Sequence, residues 1–426
     1  MRARIRPCVL APALMLVVAT AGTSLAGDTD FDIGGHVKPQ LMATTYPDDS
    51  LFRGVFGSSS EDLNLDARVV LGIDHGGWSL DVDYQFVVLH GDQVEFTREL
   101  PPELQLLYPH LPTDRTRLFD LTHVFTDCDK TAALNRLDRL VVGYTSDKVV
   151  AKFGRQAISW GNGLIYTAMD IFNPFDPAAV DKEYKTGDDM LYGQYLRTNG
   201  DDLQGVAVFR RDPMTREVEA DVGSLALKYH GMAGGGEFDG LVARHYGDTL
   251  VGVGGNHDLG GAVWNADLVI TWTENDTVAS LVTNVTYSWI WGGKNVSGVL
   301  EYFYNGFGQA GGCYSLECME DNPELLLRLA RGELFTLGRH YTALSAQFEI
   351  NPLFLLTPNV FVNLEDPSAL FQLVFQNDLR QDLVLLSSVN LPIGADGTEF
   401  GGLPTEIPGL SLSTGPSIFV QLGWYW

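Results

Sequence analysis

The chain has 426 residues, of which 28 are Lys or Arg and 54 are Asp or Glu, and its formal net charge at pH 7 is −26. This acidic excess argues against a nucleic-acid partner, because proteins bind polyanions chiefly through Lys and Arg. The length exceeds that of a typical small domain, yet one large closed barrel can contain it, so we expect a single domain.

The first 26 residues have the pattern of a secretory signal peptide. Three arginines, the last of them Arg6, precede an apolar run from Val9 to Val18, and small residues follow up to Ala26. The run is shorter than the roughly 20 residues that a spanning helix needs. We therefore expect residues 1–26 to be removed during export, which leaves one domain, 27–426, with a net charge of −29.

Beyond the predicted leader no run of 18 apolar residues occurs, so any crossing of a membrane would have to be made by strands. Apolar and polar residues alternate with a period of two from Leu63 to Asp74, from Ser79 to Val88 and from Val263 to Trp272. This pattern is typical of barrel strands with one face in lipid and one in a polar lumen. The charged residues predicted to face the lumen are Asp66, Arg68, Asp81, Asp83, Lys148, Lys152 and Asp267. Since these residues carry both signs, we expect an electric field directed across the lumen and only weak selectivity for the charge of a solute.

The last ten residues, SIFVQLGWYW, alternate in the same way and finish on aromatic side chains. A soluble sandwich also has alternating strands, but such a final strand would leave an exposed apolar edge. The segment resembles the terminal strand that bacterial outer-membrane proteins present to their assembly machinery. We therefore expect Trp424 and Trp426 to form part of an assembly signal.

Every long connection between predicted strands falls among the odd-numbered connections, whereas the even-numbered ones are short turns. Counting them gives an all-β fold, a transmembrane antiparallel up-and-down β-barrel of about 16–18 strands with long extracellular loops. The segment from Pro323 to Leu334 has helical spacing and predicts a short helix in the seventh outer loop. The odd-numbered connections are predicted at 46–62, 91–134, 158–188, 212–217, 247–248, 274–276, 308–338, 364–368 and 392–414.

The stretch from Lys152 to Met190 contains Gly154-Arg155-Gln156 followed by Ser159-Trp160-Gly161. It is similar to the GRQ-x-x-SWG signature of porin-like outer-membrane β-barrels, a family that includes alginate-export-like channels and related barrels. The resemblance covers about forty residues closely and implies a barrel in the outer membrane of a Gram-negative bacterium.

The third long connection, 158–188, is rich in Gly, Pro and Asp and too long for a simple hairpin. In general porins the third loop folds into the barrel and narrows it, so we expect an inward constriction at this position. Alternatively, these residues only pack the loop against the wall, with Arg155 paired to a nearby Asp and Trp160 in an aromatic girdle. The charges that could tune passage are Arg155, Asp170, Asp176, Asp181, Lys182 and Glu183.

Together these patterns predict a porin-like channel for passive or weakly selective diffusion of small hydrophilic solutes or saccharides. The alternatives are a surface barrel that binds glycan or assembles or exports polysaccharide, and an outer-membrane hydrolase. No GxSxG, HExxH or Walker motif occurs, so we predict no catalytic residue and no enzyme.

We expect no cofactor and no metal site. Cys313 and Cys318 are close enough in sequence to form a disulfide in an oxidising compartment. The predicted partners are outer-membrane lipid and lipopolysaccharide, the barrel-assembly machinery and a small hydrophilic solute, and the sequence is compatible with an oligomer.

Overall fold

A computed structural model of the protein describes residues 29–100 and 111–426, in which nearly all regular structure is antiparallel strand. The predicted leader, 1–26, lies outside the described residues. None of the helices in the described ranges is long and apolar enough to cross a membrane. The period-two segments are strands, because alternation lets each strand separate apolar from polar side chains onto opposite faces.

Strands follow one another along the described ranges with few helices between them. The first ten strands are β1 (Thr29–Thr45), β2 (Ser59–His75), β3 (Trp78–Gly91), β4 (Thr122–Cys128), β5 (Thr131–Thr145), β6 (Val149–Gln156), β7 (Asp188–Leu196), β8 (Asp202–Val208), β9 (Ser224–Ala233) and β10 (Gly236–His245). They are followed by β11 (Asp248–Asp258), β12 (Ala262–Trp272), β13 (Thr277–Trp291), β14 (Lys294–Tyr304), β15 (His340–Asn351), β16 (Phe354–Asn363), β17 (Ser368–Arg380), β18 (Leu383–Ile393), β19 (Leu403–Pro404), β20 (Ser411–Leu412) and β21 (Ser417–Tyr425). The helices in the described ranges are α1 (Arg53–Phe56), α2 (Asp92–Glu99), α3 (Leu316–Glu320) and α4 (Pro323–Ala330), with a 3₁₀ turn at Ala310–Gly312.

The sheet closes on itself. Strand β1 pairs along its whole length with β2 and also with the last strand, β21, whose other edge pairs with β18. Eighteen strands form the wall, since β19 and β20 form a separate small hairpin and β4 pairs only with β5. The predicted antiparallel barrel of 16–18 strands is confirmed, at the upper end of that range.

Nine connections, L1 to L9, lie at one end of the barrel and include every long one, whereas the connections at the other end are short turns. They are L1 (46–58), L2 (92–130), L3 (157–187), L4 (209–223), L5 (246–247), L6 (273–276), L7 (305–339), L8 (364–367) and L9 (394–416). L4 is wider than the predicted 212–217. The predicted helix in L7 ends at Ala330 and not at Leu334, because Gly332 takes the left-handed conformation, φ +68°, that terminates helices.

Strand β4 fills an opening in the wall. It pairs with residues 131–136 of β5, on the edge that pairs with β6 further along at residues 140–145. Just before β4, Thr116 accepts a backbone hydrogen bond from Arg211, next to β8. Strands β6 and β7 are short because the chain leaves the wall between them, and β4 with the preceding residues closes the gap above them.

The outer face of the barrel is apolar and the buried polar side chains point inward. In β12, Trp264 is 43% exposed and Leu268 is 37% exposed, whereas Asp267 between them is 1% exposed. The inner face is less polar than the alternation suggests, however. Part of it, on β7 to β12, is apolar, because L3 covers that surface from inside the barrel.

A matched pair of leucines tests which face meets lipid. Leu300, at the middle of β14, is 57% exposed, and Leu316, in L7, is 56% exposed. An arginine at mid-membrane on a lipid face costs about 2–4 kcal/mol. We expect Leu300→Arg to lower the free energy of unfolding in lipid vesicles by that amount, measured by urea titration with tryptophan fluorescence. Leu316→Arg is the control, expected to change it by less than about 0.5 kcal/mol; equal losses would contradict a lipid-facing wall.

Candidate pore constriction

L3 runs through the inside of the barrel and is held there by two carboxylates of the wall. Asp267 on β12 accepts hydrogen bonds from the backbone N–H of Asn162 at 2.6 Å and from its side-chain amide at 2.7 Å. Glu301 on β14 accepts the backbone N–H groups of Leu164 at 2.8 Å and of Tyr166 at 2.5 Å. Both acids are at most 1% exposed, so these donors compensate charges that water does not reach.

The glycines of the SWGNG segment make this turn feasible. Gly161 has φ +98°, in the left-handed region that L side chains rarely adopt. A Cβ atom on Gly163 would lie 2.0 Å from the carbonyl oxygen of Tyr166. Since the backbone must pass this close to itself while aiming N–H groups at the wall, glycine is required at both positions.

The far end of L3 is fixed to the opposite part of the wall. Lys38 on β1 contacts Asp181 at 2.8 Å and Glu183 at 2.5 Å, and the Tyr425 hydroxyl on β21 donates to Glu183 at 2.8 Å. The Gln372 side chain on β17 donates to the carbonyl oxygen of L3 residue 178 at 2.8 Å. The loop therefore leaves the wall between β6 and β7, contacts β12 to β14 and then reaches β17, β21 and β1.

Apolar packing fills the lumen on one side of L3. Phe172 and Met169 belong to a buried cluster with inward side chains of β7 to β12, and the Trp160 indole donates to Gln204 on β8 at 2.8 Å. Tyr166 stacks on Phe303 of β14 with ring centroids 5.1 Å apart. The part of the lumen that this packing does not fill therefore lies beside the strands that L3 does not cover with apolar side chains.

Of three further predicted loop charges, Asp170 forms an ion pair within L3, and Asp176 and Lys182 are exposed. Asp170 is ion-paired with Lys185 at 2.6 Å, and the Lys185 ammonium also donates to the carbonyl oxygen of Ile158 at 2.7 Å. This ties the two limbs of L3 together. Asp176 and Lys182 are exposed, and Lys182 donates to the carbonyl oxygen of residue 177 at 3.0 Å.

Arg155 lies at the junction of β6, β7 and the segment before β4, which we call the seam of the wall. It is fully buried and ion-paired with Asp189 of β7 at 2.9 Å and with Asp114 of L2 at 2.8 Å, and it donates to the carbonyl oxygen of Phe119 at 2.7 Å. With no exposed surface, its guanidinium joins β6 and β7 to the segment that precedes β4.

The other predicted lumenal charges follow the inner faces of the early strands. Arg68 is ion-paired with Asp83 at 3.1 Å and with Asp138 at 2.9 Å, and its guanidinium carbon lies 3.9 Å from the ring centroid of Tyr184 in L3. Asp66 accepts a hydrogen bond from Gln85 at 2.9 Å. Asp81 and Lys152 are half-buried on the same side of the wall.

Sequence reasoning missed two inward-facing arginines of β5 and the anchor Glu301. Arg136 and Arg139 both contact Asp138, at 3.2 Å and 3.0 Å. The register of β3 with β5 shifts at Asp83, which breaks the period-two rule in this segment. The sequence feature that could have indicated Glu301 is a single acid beside three aromatic residues, in the LEYFY segment at the end of β14.

L7 and L9 also reach into the barrel. In L7, Arg328 is ion-paired with Asp248 at 2.6 Å, and the structure joins Cys313 to Cys318 by a disulfide. In L9, the Glu399 carboxylate accepts hydrogen bonds from the Tyr341 hydroxyl at 2.5 Å and the Asn363 amide at 2.8 Å. Burial raises the pKa of Glu399 to about 6.

At the end of the chain, Trp424 and Trp426 are 46% and 43% exposed and their ring centroids are 5.2 Å apart. The described residues contain no group of three or more His, Cys, Asp or Glu side chains arranged to hold a metal ion.

The architecture is that of a porin-type barrel. A BenF-like porin from Pseudomonas fluorescens Pf-5 matches 93% of this chain and 98% of its own, with a TM-score of 0.52 and 9% identity. OccAB4 from Acinetobacter baumannii matches the same shares with a TM-score of 0.52 and 5% identity. At these identities the likeness concerns the fold. Neither a protein-family model nor a curated protein sequence matches the chain.

The seam around Arg155 predicts a large loss of stability when its charge is removed. Arg155→Met leaves Asp189 buried without its ion-pair partner, which typically costs about 3–5 kcal/mol. Arg115→Met is the control, because Arg115 is an exposed arginine of L2, the loop that contributes Asp114 to the seam. We expect a change below about 0.5 kcal/mol for the control in urea unfolding of the folded barrel. Similar losses in both variants would contradict the seam.

Glu399 predicts a pH dependence of stability. Its pKa is about 6 against an ordinary 4.5, so the folded state holds the proton more tightly and stability falls as pH rises from 4.5 to 6. Glu399→Gln removes this effect. The difference in unfolding free energy between wild type and variant should change by about 2 kcal/mol between pH 4 and pH 7. Glu406→Gln, at an exposed acid of the same loop, should leave the pH profile unchanged; a profile unaltered by Glu399→Gln would refute the assignment.

Proposed function

We propose that the protein is an outer-membrane channel through which small hydrophilic solutes diffuse, narrowed by L3. An eighteen-strand wall encloses a lumen wide enough for an aqueous path, and its apolar outer face is suited to lipid. The observation that carries the proposal is the fixing of L3 inside the barrel by Asp267 and Glu301. A loop held this firmly narrows the passage, and the part of the lumen beside the strands that it leaves uncovered stays open.

The proposed location is the outer membrane of a Gram-negative bacterium, reached by export with a cleaved leader. The pattern of residues 1–26 and the alternating terminal strand support it. The proposed partners are lipid and lipopolysaccharide around the wall and the assembly machinery at Trp424 and Trp426. Passive diffusion requires no cofactor.

Weak charge selectivity is expected because charges at the constriction are paired. Lys38 neutralises part of the Asp181 and Glu183 pair, and Arg68 lies between Asp83 and Asp138. Close pairs of opposite charge produce a local transverse field and little net potential along the pore.

Conductance in planar lipid bilayers tests the role of the anchors. In the double variant Asp267→Asn, Glu301→Gln the carboxylates are replaced by neutral amides of the same size, which weakens the charge-assisted bonds to L3. We expect single-channel conductance to rise at least roughly twofold, with more current noise, as the loop leaves the lumen.

Glu274→Gln is the matched control, since Glu274 is an exposed acid of L6. It should conduct like the wild type. An unchanged conductance in a correctly folded double variant would refute L3 as the constriction, and a wild-type protein that inserts without forming channels would refute the channel itself.

A further inference from the structure

One arc of the inner wall is lined by uncharged hydrogen-bonding side chains. Cross-strand pairs join Asn359 to Gln372, Gln372 to Asn390, Asn390 to Ser417 and Ser417 to Thr44, so that five neighbouring strands each contribute an amide or a hydroxyl. These residues share the inward face, and they lie on the side of the lumen that L3 does not fill with apolar side chains.

A cavity of about 290 Å³ lies between this arc, L3 and L9. Gln372, Asn390 and Ser417 line it, together with Ala178 of L3. Its volume is near the lower end of the ~300–1,000 Å³ typical of small-molecule sites.

Asn390, one of the lining residues, has a buried side-chain oxygen that the protein leaves unused. The Asn390 side-chain amide donates to the Ser417 hydroxyl at 3.2 Å, but its buried oxygen has no hydrogen-bond partner among the residues that the structure describes. A buried polar atom without a partner costs about 1–3 kcal/mol, so a rotation of this amide that brings its oxygen to a hydroxyl of a ligand in the cavity would be favoured.

The remaining lining favours a neutral ligand with apolar C–H surfaces. Leu370, Pro392 and Phe400 supply apolar walls, and none of the described lining residues is Lys, Arg or His. The only charge among them belongs to Glu399, whose Oε2 accepts from Tyr341 and Asn363 and whose Oε1 accepts from the backbone N–H of Leu337. A carboxylate or phosphate ligand would find no cation and one like charge.

We propose that this cavity is a binding subsite for uncharged polyhydroxylated solutes of monosaccharide size, a proposal that rests on the proposed channel for its biological role. A hydroxyl of the solute would donate to the free Asn390 oxygen while its C–H face lies against Leu370, Pro392 and Phe400. Amide and hydroxyl side chains combined with apolar walls suit a sugar or a polyol.

The test is direct binding to the folded protein in detergent micelles at pH 7.5. Glucose and sorbitol serve as neutral probes, and gluconate is the matched anion with the same six-carbon chain. Isothermal titration calorimetry should give affinities at least tenfold higher for the neutral probes. Gluconate binding as tightly as sorbitol, or no binding of either neutral probe, would overturn the proposal.

Variants locate the site. Asn390→Leu removes the free acceptor at nearly constant volume and should weaken sugar binding at least tenfold. Asn64→Leu is the control: Asn64 is half-buried on the inner face of β2, and it is not one of the residues that line the cavity. Equal affinity in wild type and Asn390→Leu would overturn the assignment. Because binding is measured without a membrane, a channel that conducts but binds no sugar refutes only the subsite, and a protein that binds sugar but does not conduct refutes only the channel.

Discussion

The interior of this barrel depends on hydrogen bonds from backbone N–H groups of L3 to the carboxylates of Asp267 and Glu301. A buried carboxylate is costly unless donors surround it, and the inward turn of L3 provides them. The dependence is mutual, because L3 gains fixed partners for its backbone only inside the barrel. The turn also requires glycine, which ties the SWGNG segment to two acids more than 100 residues away.

The inward path of L3 determines how the wall is built around β6 and β7. Since the chain leaves the sheet between β6 and β7, both strands end early, and β4 with the residues before it closes the opening. Arg155 lies where these pieces meet and pairs with acids from two of them. One loop thus accounts for the short strands, the additional strand and the buried ion pairs.

L3 also divides the lumen chemically. Its apolar side chains pack against β7 to β12, and the remaining arc, from β16 to β1, has amides and hydroxyls on its inner face. A solute that diffuses through the barrel, as proposed, would meet the neutral arc and the paired charges around Lys38 and Arg68. The chain is strongly acidic as a whole, yet the path beside L3 is close to neutral.

By itself, the sequence determined the wall. Alternation such as that from Val263 to Trp272 is a local property, so strand positions, their two faces and the end of the barrel at which the long loops lie could be predicted from it. Only the tertiary structure decided what each inward charge does. Arg155 was expected beside the passage and is buried in the seam, and Glu301 gave little local signal although it accepts bonds from residues 135–137 positions away. The physical reason is that a side chain's partners depend on which strand lies next to it, on bulges such as the one at Asp138 in β5, and on the course of a loop through the barrel. None of these is encoded within a few residues of the side chain concerned.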